Sequence, residues 1–155
     1  MKKFELTTDT KMRFGKKLFR IKALISFGNV KVGDMGGYIE KEENLSQSGN
    51  AWVSGNARVF GNAWVSGNAE VLGNALVSGD ADYATASGFG SEYRTTTFFK
   101  LKNSDEIGVR CGCFYGTLKE FKEIVKETHG ETKKAKEYLM LADLMEYRFS
   151  EEKKA

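Results

Sequence analysis

Histidine and cysteine are scarce in this sequence of 155 residues, which contains one His and two Cys. A metal centre that depends on several histidines is excluded by that count. Cys111 and Cys113 share one face of a predicted strand, but two thiolates alone do not complete a zinc site. We therefore expect no metal, no cofactor and no disulfide, since disulfides are rare in a reducing compartment.

Long apolar runs are missing as well. No stretch approaches the roughly 20 residues that span a bilayer. The N-terminal segment MKKFELTTDTKMRFGKKLFRIKAL is basic but has no unbroken apolar core, so it lacks the pattern of a signal peptide. We expect a cytoplasmic protein that makes no contact with a membrane.

The net charge of +3 is too small to indicate a nucleic-acid-binding protein by itself. Its distribution is uneven, because basic residues cluster in the first twenty positions. This basic entry patch comprises Lys11, Arg13, Lys16, Lys17 and Arg20. Such a patch can attract an acidic partner, or it can be the solvated side of a small domain.

A six-residue repeat occupies the middle of the chain. Alanine recurs at every sixth position from Ala51 to Ala81, and valine follows two residues later from Val53 to Val77. Gly-Asn precedes most of the alanines, and both residues tolerate the backbone angles of a tight corner. A period of six excludes an α-helix and predicts a chain that turns a corner every six residues.

The alanine and valine of each hexad are two residues apart, so both face the same side of a strand. We predict that they face inward and stack on their equivalents one coil away. The residues between them and after the valines then face outward. Among these outward residues, the candidate interface consists of Trp52, Arg58, Phe60, Trp64, Leu72 and Leu76.

Two helices are predicted near the end of the chain. TLKEFKEIVKETHG has a capping box at Thr117 and Glu120, and Gly130 follows its end. A second helix is predicted from about Thr132 to Phe149, with its apolar residues on one side.

The pattern V-x-G-N-A-x resembles the hexapeptide-repeat family of left-handed β-helix proteins. The segments LFRIKAL…VGDMGGYIEKEENLSQSGNAWV and RTTTFF…VRCGCFYGTLKEFKEIVKETHG are similar to phage and prophage proteins often labelled polymer-forming or transferase-like. The resemblance implies a mainly β fold with a small α+β end: a single-stranded left-handed β-helix of about three coils, an N-terminal β cap, and a C-terminal strand pair plus two helices. The expected domains are 1–37, 38–90 and 91–155.

Many hexapeptide-repeat proteins are acyltransferases that use a histidine as general base. The single histidine, His129, lies between the two predicted helices and outside the repeat. The hexads also run without the inserted loop that often crosses a coil in these enzymes. We therefore predict no catalytic residue, and an acyltransferase-like enzyme stays an alternative.

The resemblance implies a non-catalytic phage-type interaction protein that binds and blocks a host protein or protein complex, for instance a CRISPR effector or another defence component. One alternative is a sponge for an anionic nucleotide between subunits, which Arg58 and the basic entry patch would suit. A phage structural component is another, and a nucleic-acid partner is weakly indicated. Exposed Trp, Phe and Leu call for cover, either by a dimer or trimer of this chain, by its own flanking segments or by a host molecule.

Val65→Asp tests the inward assignment. An unpaired charge among stacked alanines and valines should unfold the repeat, because burying it costs several kcal/mol. Circular dichroism and thermal melting of the variant measure this, and Trp64→Ala, one residue away, should keep its secondary structure. Unchanged melting of Val65→Asp would show that the inward and outward positions are assigned wrongly.

Overall fold

The computed structural model describes residues 2–13, 15–79, 82–89, 94–102, 106–112 and 114–150. The strands in chain order are β1 (Phe4–Arg13), β2 (Lys16–Ala23), β3 (Met35–Ile39), β4 (Trp52–Val53), β5 (Arg58–Val59), β6 (Glu70–Val71), β7 (Leu76–Val77), β8 (Tyr83–Phe89), β9 (Arg94–Lys100), β10 (Ile107–Cys111) and β11 (Phe114–Thr117). Two helices follow, α1 (Leu118–His129) and α2 (Lys133–Phe149). No helix in these ranges is both long enough and apolar enough to cross a membrane.

The strands form several sheets, so the predicted single-stranded left-handed β-helix of about three coils is wrong. A mixed five-stranded sheet has the order β1-β2-β3-β5-β7, and an antiparallel four-stranded sheet has the order β11-β10-β9-β8. Strands β4 and β6 pair separately. The hexads supply strands of only two residues, so the longer flanking strands determine most of the pairing. The prediction of a C-terminal strand pair is also wrong, because the structure has an antiparallel sheet of four strands there.

Strands from the repeat pair in parallel with partners eighteen residues away. Trp52 lies opposite Glu70, and Arg58 lies opposite Leu76. The corners between these strands contain glycines with positive φ, for example 64° at Gly55, a conformation that favours glycine over residues with a Cβ. The predicted role of the glycines as corners is confirmed.

The inward positions of the repeat are confirmed over its described hexads. The alanines from Ala51 to Ala75 and the valines from Val53 to Val77 are buried in one cluster. Burying a valine side chain contributes about 1.5–3 kcal/mol, so the stack is a major source of stability. Phe4 and Ile21 from the entry hairpin and Phe99 from β9 belong to the same cluster. The flanking segments therefore cover the repeat, as expected.

A buried asparagine joins the segment after β3 to the repeat. The side-chain amide of Asn44 donates to the carbonyl oxygens of Gly61 at 3.2 Å and Ala63 at 2.8 Å. Its oxygen accepts from the backbone N–H groups of Glu40 at 3.1 Å and Lys41 at 3.0 Å. All four hydrogen-bonding positions of the amide are thus used, which makes this contact specific for asparagine.

A buried lysine holds the beginning of the repeat. Lys3 donates from Nζ to the carbonyl oxygen of Ala51 at 2.8 Å, with those of Ser48 and Gly49 at 3.4 and 3.5 Å. The ammonium also lies 4.8 Å from the centroid of the Phe27 ring. Burial lowers the pKa of Lys3 to about 8, because the charged form loses its water.

The C-terminal sheet and helices form a second core. Residues buried in it are Phe98, Val109, Leu118, Phe121, Val125, Ala135, Tyr138, Ala142 and Met145. The predicted capping box of α1 is confirmed, since the Thr117 hydroxyl accepts from the N–H of Glu120 and the Glu120 carboxylate accepts from the N–H of Thr117. Thr132 caps α2 with a single hydrogen bond, which its hydroxyl accepts from the N–H of Ala135.

Lys3 should make stability depend on pH above neutrality. Its folded pKa of about 8 lies below the ordinary value of 10.5, so the unfolded chain binds the proton more tightly between these values. The free energy of unfolding should therefore rise from about pH 8 to 10.5. Denaturant titrations of the natural chain and of Lys3→Met measure it, because the variant lacks this rise. Parallel curves for the two proteins would contradict the prediction.

Candidate binding surfaces

The candidate interface residues do not form one surface. Trp52 and Leu72 line a groove, whereas Arg58 and Leu76 lie opposite each other in the five-stranded sheet. Trp64 lies apart from both and is 52% exposed. The structure therefore offers two candidate surfaces, the groove and one side of the sheet.

Two of these residues were expected to be exposed and are buried. Trp52 is 7% exposed and Phe60 is 8% exposed, so that expectation is wrong. Phe27 packs edge-on against Trp52 with the ring centroids 5.3 Å apart, and Phe60 packs with Leu18 and Tyr38. Residues of the same chain bury both side chains, because the entry segment folds back over the repeat.

Basic residues from distant parts of the sequence meet on the outer side of the five-stranded sheet. Arg20 lies opposite Tyr38, and Tyr38 lies opposite Arg58, on adjacent strands. Residues that pair directly have their side chains on the same side of a sheet. Lys11 Nζ lies 4.6 Å from the centroid of the Tyr38 ring and Arg20 Cζ lies 5.8 Å from it. We call the group Lys11, Arg13, Arg20, Tyr38 and Arg58 the basic face.

Arg58 is only partly satisfied by the fold. Its buried Nε has no hydrogen-bond partner within the described part of the chain. Burial lowers the pKa of Arg58, and the nearby charge of Arg13 lowers it further, while Tyr38 acts in the opposite direction. A buried donor without an acceptor is costly. Nε is closed to an external oxygen, but a carboxylate or phosphate beside the half-buried side chain would offset the like charges of Arg58 and Arg13.

The other cations of the basic entry patch differ in their contacts. Arg20 donates from Nε to the carbonyl oxygen of Gly36 at 3.1 Å, and its Nη1 lies 3.6 Å from Asp9. Lys16 forms an ion pair of 3.3 Å with Glu40. Lys17 lies on the opposite side of β2 from Arg20, because successive residues of a strand alternate. The structure thus brings Arg58 together with three residues of the patch, Lys11, Arg13 and Arg20, and leaves Lys17 apart.

The groove has a volume of about 810 Å³, within the range of small-ligand sites. Trp52 and Glu70 from β4 and β6 form its floor, together with Leu72. One wall is the loop that ends at Met35, and the other is the C-terminal sheet with Arg110. The sequence could not reveal this groove, because its walls are segments without a repeat.

An ion pair joins the floor of the groove to one wall. Arg110 donates from Nε to the Glu70 carboxylate at 2.7 Å. Asp34 also lines the groove, so its lining carries two carboxylates against one guanidinium. That balance disfavours an anionic occupant, and the groove differs in this respect from the basic face.

Residues suited to metal binding are dispersed over the described ranges. No group of three His, Cys, Asp or Glu side chains that could hold a metal ion occurs there. Cys111 lies half-buried in the C-terminal core, where its sulfur is 3.2 Å from the hydroxyl of Thr96 and 3.8 Å from that of Tyr138. Cys113 and the side chain of His129 lie outside the described part of the structure.

Comparison with known proteins does not assign the chain to a family, since no family model and no curated protein matches it. The resemblance to phage hexapeptide-repeat proteins therefore stays a prediction.

Replacing Arg58 and replacing Arg20, two of the three arginines of the basic face, should have opposite effects on stability. Arg58→Leu removes a buried donor without a partner and one member of a like-charged pair, so the melting temperature should stay equal or rise. Arg20→Leu removes a hydrogen bond to Gly36 and an ion pair with Asp9, which should lower stability by about 1 kcal/mol. Thermal and denaturant unfolding of both variants measure this. A larger loss for Arg58→Leu than for Arg20→Leu would mean that Arg58 is fully satisfied in the fold.

Proposed function

We propose that this chain is a non-catalytic interaction protein that binds an acidic surface of a host protein through its basic face and thereby blocks that protein. The observation that carries the proposal is the position of Arg58. A buried guanidinium nitrogen without an acceptor, close to a second arginine, is a net cost to the fold. Nε itself is closed to a partner, but a carboxylate placed against the half-buried side chain would offset the repulsion between Arg58 and Arg13, since carboxylates attract guanidinium groups.

The composition of the basic face favours a protein partner. Carboxylates lie near this face, since Asp9 is 3.6 Å from Arg20 and Glu40 pairs with the neighbouring Lys16. Tyr38 lies among the cations. Arginine and tyrosine are enriched in protein interfaces, whereas a nucleic-acid surface needs a broader excess of cations. Nucleic acid is therefore the weaker candidate partner.

The resemblance of the flanking segments to phage proteins supports the choice of partner. A phage protein without catalytic residues can act by occupying a surface of a host defence component. A CRISPR effector is one example of such a component, and the basic face would need an acidic patch on it rather than its positively charged nucleic-acid channel. The proposed mode of action is competition for that surface, with affinity that falls as salt screens the charges.

The proposal predicts a partner whose capture depends on Arg58. The tagged chain is incubated with lysate of a bacterial host, and bound proteins are identified and eluted with salt. Arg58→Glu and Lys11→Glu should each reduce capture by at least about tenfold, because each places like charges against an acidic surface. Lys126→Glu, an exposed change on α1, has the same charge change away from the basic face and should retain capture.

Phage plating on host cells that express the chain measures the blocking activity. Plating should improve with the natural chain and with Lys126→Glu, and should not improve with Arg58→Glu. Equal capture and equal plating for Arg58→Glu would overturn the proposal. Stabilisation of the chain by a cyclic nucleotide, lost in Arg58→Leu, would favour the nucleotide sponge instead, because bound ligand raises the melting temperature.

A further inference from the structure

Helix α2 has an apolar stripe that faces away from the C-terminal core. Met140, Leu144 and Tyr147 are 71%, 55% and 81% exposed. Residues three and four apart share one face of a helix, so the three side chains form a continuous surface. The opposite side of the helix is already packed, since Ala142 and Met145 are buried in the core. The apolar side chains of the stripe are therefore not used to pack the core of a single chain.

Two charged residues flank the stripe on the same side. Glu137 and Arg148 are eleven residues apart, about three helical turns. Within the ranges that the structure describes, neither takes part in an ion pair. Their opposite signs at the two ends of one apolar stripe make the surface complementary to an inverted copy of itself.

We propose that α2 forms the interface of a homodimer in which two copies of the helix pack antiparallel. With Met140 opposite Leu144 of the second copy, Glu137 comes opposite Tyr147 and next to Arg148 of that copy. Two-fold symmetry forms each of these contacts twice. The apolar stripe supplies burial, and the charged flanks select the antiparallel direction over the parallel one.

The proposed dimer is independent of the basic face and of what that face binds. Three side chains from each copy form a small interface, so the dimer should dissociate on dilution. Two copies would present two basic faces to one partner, which raises the apparent affinity without any new contact.

Sedimentation or light scattering over a range of concentrations measures the dimer. The natural chain should change from monomer to dimer as concentration rises. Leu144→Glu should weaken association by at least about tenfold, because it places a charge at the centre of the interface. Circular dichroism checks that this variant is folded, which we expect because Leu144 is exposed in the single chain.

Charge reversal tests the register without changing the apolar stripe. Glu137→Arg and Arg148→Glu should each weaken the dimer, since each places two like charges next to each other at both ends. The double variant should restore association, because it exchanges the partners and keeps them opposite in sign. This rescue would not occur if α2 bound to a different surface of the second copy.

Several results would overturn the proposal. A natural chain that stays monomeric at every concentration excludes the dimer, and a trimer excludes the two-fold pairing. Association that is lost in Trp64→Ala but kept in Leu144→Glu would place the interface on the repeat. Failure of the double charge variant to restore association would exclude the antiparallel register.

Discussion

A stack of small side chains needs cover at both ends, and the rest of the structure depends on this constraint. The alanines and valines of the repeat fill a narrow core, but each layer is buried only where another layer or a flanking segment lies against it. Phe4 covers one part of that core and Phe99 covers another. Lys3 adds a polar contact at the first hexad, where the carbonyl oxygen of Ala51 would otherwise lack a donor.

The same covering segments create both candidate surfaces. The entry hairpin covers Phe60 and, by doing so, brings Lys11 close to Tyr38. The C-terminal sheet packs against the repeat and brings Arg110 to Glu70, which closes one side of the groove. The groove and the basic face are therefore consequences of how the repeat is covered, and they differ in charge because different segments do the covering.

Features set by local sequence could be predicted, and features set by distant pairing could not. The six-residue period correctly placed Val65 inside, and the spacing of Thr117 and Glu120 correctly placed the start of α1. The sheets depend on which strands pair. The six-residue period of the repeat does not indicate that the entry hairpin of β1 and β2 joins the same sheet as β5 and β7. For the same reason Trp52 was assigned an exposed position that Phe27 covers. Of the candidate site, Arg58 and the basic entry patch were each named from the sequence, whereas their meeting on one side of a sheet and the groove were not predicted.

The contacts of Asn44 make the fold sensitive to a change of chemical group even where the size and shape of the side chain are kept. An Asn44→Asp substitution would place a carboxylate of nearly the same size at the same position. That carboxylate would face the carbonyl oxygens of Gly61 and Ala63, to which the amide now donates. Two attractive contacts would become repulsive in a site that excludes water. A change at a single side-chain group would thus loosen the junction between the entry segment and the repeat.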